Sequence, residues 1–219
     1  MKSLFIVANW KSNKTKKETL LYLDILSKNL KRIDGKEVII CPSFVHLQLF
    51  SDYIKENNLD IKLGAQNVSH FEEGPFTGEV NAKQLRDFVS YCIVGHSERR
   101  EKFSEDLGSI NSKISNLINA QVTPILCISE VGQLEGVNDL ENCIIAYEPL
   151  GTIGTGKALD PSLISSILGK LRQTTSLGVL YGGSVDPHNV SKYSSSFDGV
   201  LMGTDSLDPQ VFLQIINNA

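Results

Sequence analysis

Glu148 stands at the end of an apolar run, Cys143-Ile144-Ile145-Ala146-Tyr147, and is followed by a loop that carries Gly151, Gly154 and Gly156 and leads to Lys157. An apolar run of this kind reads as a strand buried on both faces, which delivers the carboxylate to the strand's rim. Glycines, lacking a Cβ, let backbone N–H groups close on an anion. A carboxylate base beside a phosphate cradle suits removal of a proton from a phosphorylated substrate. Alone, Glu148 reads more readily as a strand-end carboxylate in a salt bridge, so the rest of the chain has to decide.

The other polar signals also follow apolar runs. Candidate strands cover Leu4 to Ala8, Glu37 to Cys41, Ile61 to Ala65, Tyr91 to Val94, Val122 to Ile128, Cys143 to Tyr147, Gly178 to Tyr181 and Gly199 to Met202. Helical patterns cover Lys16 to Ile33, Val45 to Asn57, Ala82 to Val89, Glu105 to Asn119, Pro161 to Gln173, Pro187 to Tyr193 and Pro209 to Ile216. Strands alternating with crossover helices make a parallel α/β sheet, and eight strands predict a closed (β/α)8 barrel, one domain over residues 1–219. Pro161, Pro187 and Pro209 each follow Asp, as first-turn prolines behind an Asp cap do.

Barrels of this class typically run to about 250 residues, so this chain of 219 is shortened. The segment Ser129 to Asn142, with Gly132 and Gly136, has room for a loop or one helical turn, which predicts a reduced or absent helix after strand five. Asn9 and Lys11 follow strand one; His96, Ser97 and Glu98 follow strand four; Glu148 follows strand six. Gly182, Gly183 and Ser184 follow strand seven, and Gly203 and Thr204 follow strand eight. The carboxyl ends of barrel strands share one rim, where barrel enzymes build their active sites.

Composition narrows the function classes. A net charge of −4 argues against a nucleic-acid surface, and the short cluster Lys14, Lys16 and Lys17, followed by Glu18, reads as a solvated turn. The apolar start is cut by Asn9, Trp10 and Lys11, below the ~7 to 15 residues of a secretion signal. No stretch approaches the ~20 apolar residues of a membrane span, so a soluble cytoplasmic protein with no membrane partner is predicted. Cys41, Cys92, Cys127 and Cys143 sit in or at the ends of apolar runs and read as buried thiols of a reducing compartment. His46, His70 and His188 are scattered and read as structural or exposed, which disfavours a metal site.

Seven motifs add a resemblance. Asn9-Trp10-Lys11, Gly64-Ala65-Gln66-Asn67, Phe76-Thr77-Gly78-Glu79, Val94-Gly95-His96-Ser97-Glu98-Arg99-Arg100, Ala146-Tyr147-Glu148-Pro149, Ile153-Gly154-Thr155-Gly156-Lys157 and Tyr181-Gly182-Gly183-Ser184 occur in that order. With them the chain resembles the triosephosphate isomerase family over nearly its whole length. The resemblance implies a TIM barrel that interconverts D-glyceraldehyde 3-phosphate and dihydroxyacetone phosphate through an enediolate, without metal or organic cofactor. It implies Glu148 as the base, His96 as a neutral electrophile, Lys11 as fixed positive charge, Asn9 as a neutral donor and Glu98 as a further catalytic group. It also implies a phosphate held by backbone N–H groups at Gly154, Ser184, Gly203 and Thr204, with a short helix N-terminus adding its dipole.

The resemblance further implies that the loop from Pro149 to Lys157 closes as a lid, with Ile153 and Leu201 drying Glu148 and with Tyr181 and Ser184 latching it. The segment Gln66 to Glu79 is long for a barrel loop, and the resemblance implies that it inserts into a second copy, giving a homodimer in which Thr77 reaches the partner's site. Two positions depart from the family pattern: Gly151 replaces a usual tryptophan of the lid hinge, and Thr204 replaces a second glycine after strand eight. Competing readings are a non-catalytic barrel that binds sugar phosphates, another phosphosugar isomerase, and a nucleotide-binding protein. The last rests on Gly151 to Ala158, G-x-x-x-x-G-K-A, which lacks the hydroxyl a P-loop offers to Mg²⁺.

Overall fold

The computed structural model describes residues 3–31, 34–149 and 161–219, and only the backbone of 161–163. Its strands are β1 (Leu4–Asn9), β2 (Lys36–Cys41), β3 (Lys62–Ala65), β4 (Tyr91–Val94), β5 (Thr123–Ile128), β6 (Ile144–Tyr147), β7 (Val179–Tyr181) and β8 (Gly199–Met202). All pair in parallel and in chain order, and β8 returns to β1 through Phe5↔Gly199 to Ala8↔Met202, closing the predicted barrel.

Two apolar cores follow from the period of two along each strand. Val7, Ile39, Ile93, Ile125, Ala146, Leu180 and Leu201 belong to a small cluster that fills the barrel. Their strand neighbours, such as Ile6, Ile40, Leu126 and Val200, join the larger cluster with helix residues Leu26, Phe50, Ile114 and Phe212. Strands buried on both faces are why these segments read as continuous apolar runs. All four cysteines lie buried and unpaired.

The helices are α1 (Lys16–Asn29), α2 (Leu47–Glu56), α3 (Ala82–Leu85), α4 (Ser97–Lys102), α5 (Leu107–Asn119), α6 (Pro161–Leu171), α7 (Val190–Ser194) and α8 (Pro209–Asn218). Capping chemistry sets several bounds. Thr15 and Glu18 form a reciprocal capping box that starts α1, which ends where Leu30 turns extended, short of the predicted Ile33. Asp208 accepts from the N–H groups of Gln210 and Val211, so Pro209 opens α8 as predicted. Pro187 does not behave this way. The Asp186 carboxylate takes the N–H groups of His188 and Asn189 within a turn, and α7 starts only at Val190. Pro161 opens α6, while its Asp160 lies outside the described residues.

Between β5 and β6 the chain makes two 3₁₀ turns, Val131–Leu134 and Leu140–Asn142, in place of a helix. Asn111 of α5 secures this connection by donating to Gly136 O and accepting from Asn138 N. Lys14 corrects the solvated-turn expectation: its Nζ lies 5.2 Å from the Trp10 ring centroid and 5.1 Å from that of Tyr22. Lys16 and Lys17 are exposed. Among the described residues no helix is long and apolar enough to cross a membrane.

Candidate active site

Asn9, Lys11, His96, Glu98 and Glu148 line one cavity of about 460 Å³ at the carboxyl ends of the strands. Ser184, Gly203 and Thr204, and also Leu201, line the same cavity. Gly154, Ile153 and the rest of the predicted lid beyond Pro149 fall in residues 150–160, outside the described residues, as does the hinge position Gly151.

β1 delivers Asn9 and, two residues on, Lys11, whose backbone is left-handed at φ 52°. That conformation costs a side-chain-bearing residue about 1 to 2 kcal/mol, and the surroundings hold it in place. The Lys11 carbonyl accepts from Gln66 Nε2 at 2.8 Å and Ser43 Oγ at 3.3 Å, while its N–H donates to Asn9 Oδ1 at 3.1 Å. Lys11 Nζ meets Glu98 Oε1 at 2.7 Å. Partial burial works against the Glu98 charge, but the hydrogen bond and charge of Lys11 hold its carboxyl below the usual range.

His96 sits between β4 and α4 as the N-terminal cap. Its Nδ1 accepts the Glu98 N–H at 3.2 Å, which leaves Nε2 as the donor of a neutral ring. Burial, with Lys11 adding to it and Glu98 opposing, pushes the imidazole down to about 4, so the ring is neutral at physiological pH. Nε2 lies 3.5 Å from Glu148 Oε1.

Glu148 follows β6 and is only 2% exposed. Burial raises its carboxyl to about 7, against the opposing pull of Cys127, Lys11 and Ser97. Ser97 Oγ donates to Glu148 Oε2 at 3.4 Å. Gly182 is required at its place on the rim, because a Cβ there would fall 2.6 Å from Glu148 Cγ. On the far side of β8, Thr204 opens a 3₁₀ turn, Thr204–Leu207. It is absent from the residues with positive φ, so this departure from glycine carries no left-handed strain.

A second charged cluster lies behind His96. Glu105 accepts from Gly95 N at 3.0 Å, from Arg99 Nε and from Lys113 Nζ at 2.6 Å, and Lys113 also reaches Asn67 Oδ1 at 2.8 Å. Sequence reasoning overlooked this cluster, the contact of Ser97 with Glu148, and the presence of Lys102 and Asp205 at the cavity wall. Ser97 was adjacent to His96 within a motif, and that adjacency was the available signal. His46 is structural, bonded through Nε2 to Lys14 O at 2.9 Å, and the His70 ring lies tilted against Phe71 with centroids 3.8 Å apart.

A family model described as triosephosphate isomerase matches residues 4–219. The chain belongs to the triosephosphate isomerase family. It is 37% identical to the triosephosphate isomerase of Dehalococcoides mccartyi, an alignment covering 100% of this chain and 97% of that protein. It is 36% identical to the enzyme of that name from a Synechococcus species, over 99% of this chain and 97% of the relative, and 35% identical to that of Dictyoglomus thermophilum over 100% of both. Triosephosphate isomerase family members thus align with this chain from end to end, despite the missing helix between β5 and β6.

Proposed function

We propose that this chain, as a single barrel domain, interconverts D-glyceraldehyde 3-phosphate and dihydroxyacetone phosphate. The observation that carries the proposal is the pairing of a dried carboxylate, Glu148, with a neutral imidazole, His96, 3.5 Å apart in one cavity. Shifting a carbonyl to the neighbouring carbon needs a base for the C–H proton and donors for the oxygens of the enediolate. Glu148 takes the proton, and its carboxyl near 7 makes it a stronger base than an ordinary glutamate while leaving a large ionised fraction at neutral pH. His96 Nε2–H polarises the substrate oxygen.

Lys11 supplies a fixed positive charge on the same wall, kept in orientation by Glu98, and Asn9 adds a neutral donor. The phosphate dianion is held by backbone N–H groups at Ser184, Gly203 and Thr204, joined by Gly154 from the lid segment. Local donors let a chain of net charge −4 take an anion. No step calls on a metal or organic cofactor.

The reading extends to a cytoplasmic homodimer. Phe71 and Phe76 stack at 4.0 Å within the Gln66 to Glu79 segment, and Val45 (83% exposed) and Phe103 (66% exposed) also present apolar surface, which a second copy would cover. Light scattering tests this directly, and an active monomer would remove the dimer while leaving the chemistry. The chemistry itself is tested by a coupled assay with glyceraldehyde 3-phosphate. Glu148→Ala should lose about three powers of ten or more in turnover with its circular dichroism unchanged. Equal activity in the two proteins rules out Glu148 as base, and inactivity of both favours a sugar-phosphate-binding barrel.

A further inference from the structure

An aromatic block beneath the rim belongs to none of the assigned roles. Trp10, between Asn9 and Lys11, is fully buried, and its ring meets Tyr22 edge-on at 4.6 Å and Phe50 at 5.1 Å. Tyr22 lies in the middle of α1, a helix that lends no residue to the cavity. Its Oη donates to Ser206 O at 3.0 Å, across 184 positions of sequence. Ser206 is itself fully buried, and both its N–H and its hydroxyl donate to Gly203 O, at 3.0 and 2.6 Å. The hydrogen bonds therefore run from Tyr22 to Ser206 and on to Gly203, whose backbone faces the cavity. Lys11 presses on the same glycine: a Cβ on Gly203 would stand 3.2 Å from Lys11 Cε.

We infer that Tyr22 is a positioning residue for anion binding, setting the turn after β8 against the Lys11 side chain so that the amide cradle and the cation address one phosphate. The inference rests on the proposed triose-phosphate reading. Its physical basis is that a buried carbonyl deprived of its donor cannot recover the bond from water, so the turn must move to find another partner. Burial holds the Tyr22 phenol well above its ordinary range, so the donor proton stays in place throughout the neutral range. Phenylalanine at this position would keep the ring contacts with Trp10 and Lys14 and remove the bond to Ser206, along with the hydroxyl's interaction with the Trp10 side chain.

The test compares Tyr22→Phe with Tyr53→Phe, which deletes an α2 hydroxyl that touches Ser27 of α1 and, among the described residues, makes no bond to the turn after β8. For Tyr22→Phe, the Kd for inorganic phosphate by titration calorimetry and the KM for glyceraldehyde 3-phosphate should both rise about tenfold, with kcat within about twofold. Tyr53→Phe should change neither. Ser206→Ala, which removes the 2.6 Å hydroxyl bond to Gly203 O and leaves the N–H bond and α1 intact, should weaken phosphate in the same direction by a smaller factor and serves if Tyr22→Phe folds poorly. Unchanged phosphate affinity in Tyr22→Phe or Ser206→Ala, or equal weakening in Tyr53→Phe, overturns the inference. Wild-type protein that binds phosphate but does not isomerise triose phosphates overturns the parent reading alone, because the calorimetry still decides Tyr22. Wild-type protein that binds no phosphate overturns both.

Discussion

Two glutamates in this barrel have side chains equally hidden from solvent, at 2% exposure each, and they are driven in opposite directions. Glu148 faces an imidazole that is neutral, a serine hydroxyl and a thiol, and among the described residues no lysine or arginine forms an ion pair with it, so burial outweighs the more distant pull of Lys11 and lifts its carboxyl to about 7. Burial pushes Glu105 upward too, but Lys113 and Arg99 bond to it directly and hold it below the usual carboxylate range. Burial sets the stakes and the partner decides the sign. One carboxylate is thereby left reactive and the other locked into the scaffold beneath His96.

The contrast is sharpened most by removing the charge of Glu148. Glu148→Gln should lower turnover about a thousandfold or more, over 4 kcal/mol of transition-state stabilisation. The same change should raise stability at pH 8. A carboxyl that titrates higher in the folded chain contributes its full stability below the unfolded value near 4.5 and loses it as pH climbs through about 7. The neutral amide avoids that loss, so urea unfolding at pH 8 should give a variant more stable by about 2 kcal/mol. A less stable variant would mean that Glu148 is held by a partner rather than stranded.

Glu105→Ala should do the reverse. It strands the Lys113 ammonium, whose side chain is 4% exposed, and should cost about 3 to 5 kcal/mol in the same unfolding measurement. Because the folded value of Glu105 is depressed, its contribution is present above the ordinary carboxylate range and fades as pH falls through the folded value. A loss under about 1 kcal/mol would show that the cluster is solvated and the contrast false.

The pH profile gives a milder test. With His96 neutral down to about 4, kcat/KM should climb as Glu148 ionises and level off above about 7. The second ionisation of the substrate phosphate, at about 6, adds its own limb, and repeating the profile with glyceraldehyde, which lacks the phosphate, isolates the carboxylate. A plateau beginning near pH 5 in that profile would contradict the dried base. Smallest of all, Lys14→Ala should cost about 0.5 to 1 kcal/mol through its lost contacts with Trp10 and Tyr22, read as a small drop in Tm.

These differences also explain what the sequence disclosed. Strand runs were legible because two-sided burial leaves an uninterrupted apolar signature, and Glu148 and His96 because each closes such a run. Glu105 carried no comparable mark. It looked like the first residue of a helix that in fact begins at Leu107, since its carboxylate is captured by Lys113 eight residues on and by Arg99 in a different helix. Pro187 misled for a related reason: Asp-Pro matches a helix start, but the Asp186 side chain spends its oxygens on a turn. Local chemistry was readable, and bonds between elements were not. The phosphate-side link from Tyr22 to Ser206 is the extreme case, as its two ends lie near opposite termini of the chain.

The two 3₁₀ turns that join β5 to β6 have an evolutionary consequence. Among the described residues, neither β5 nor this connection contributes to the cavity wall, whose groups hang from β1, β4, β6, β7 and β8. The barrel is thus modular around its circumference. One sector is free to gain or shed architecture, because the Asn111 clamp, the Ser129–Gln133 bond and the packing of Val131, Leu134, Val137 and Leu140 tie it to the scaffold and not to the cavity, and the reacting groups have no stake in its length.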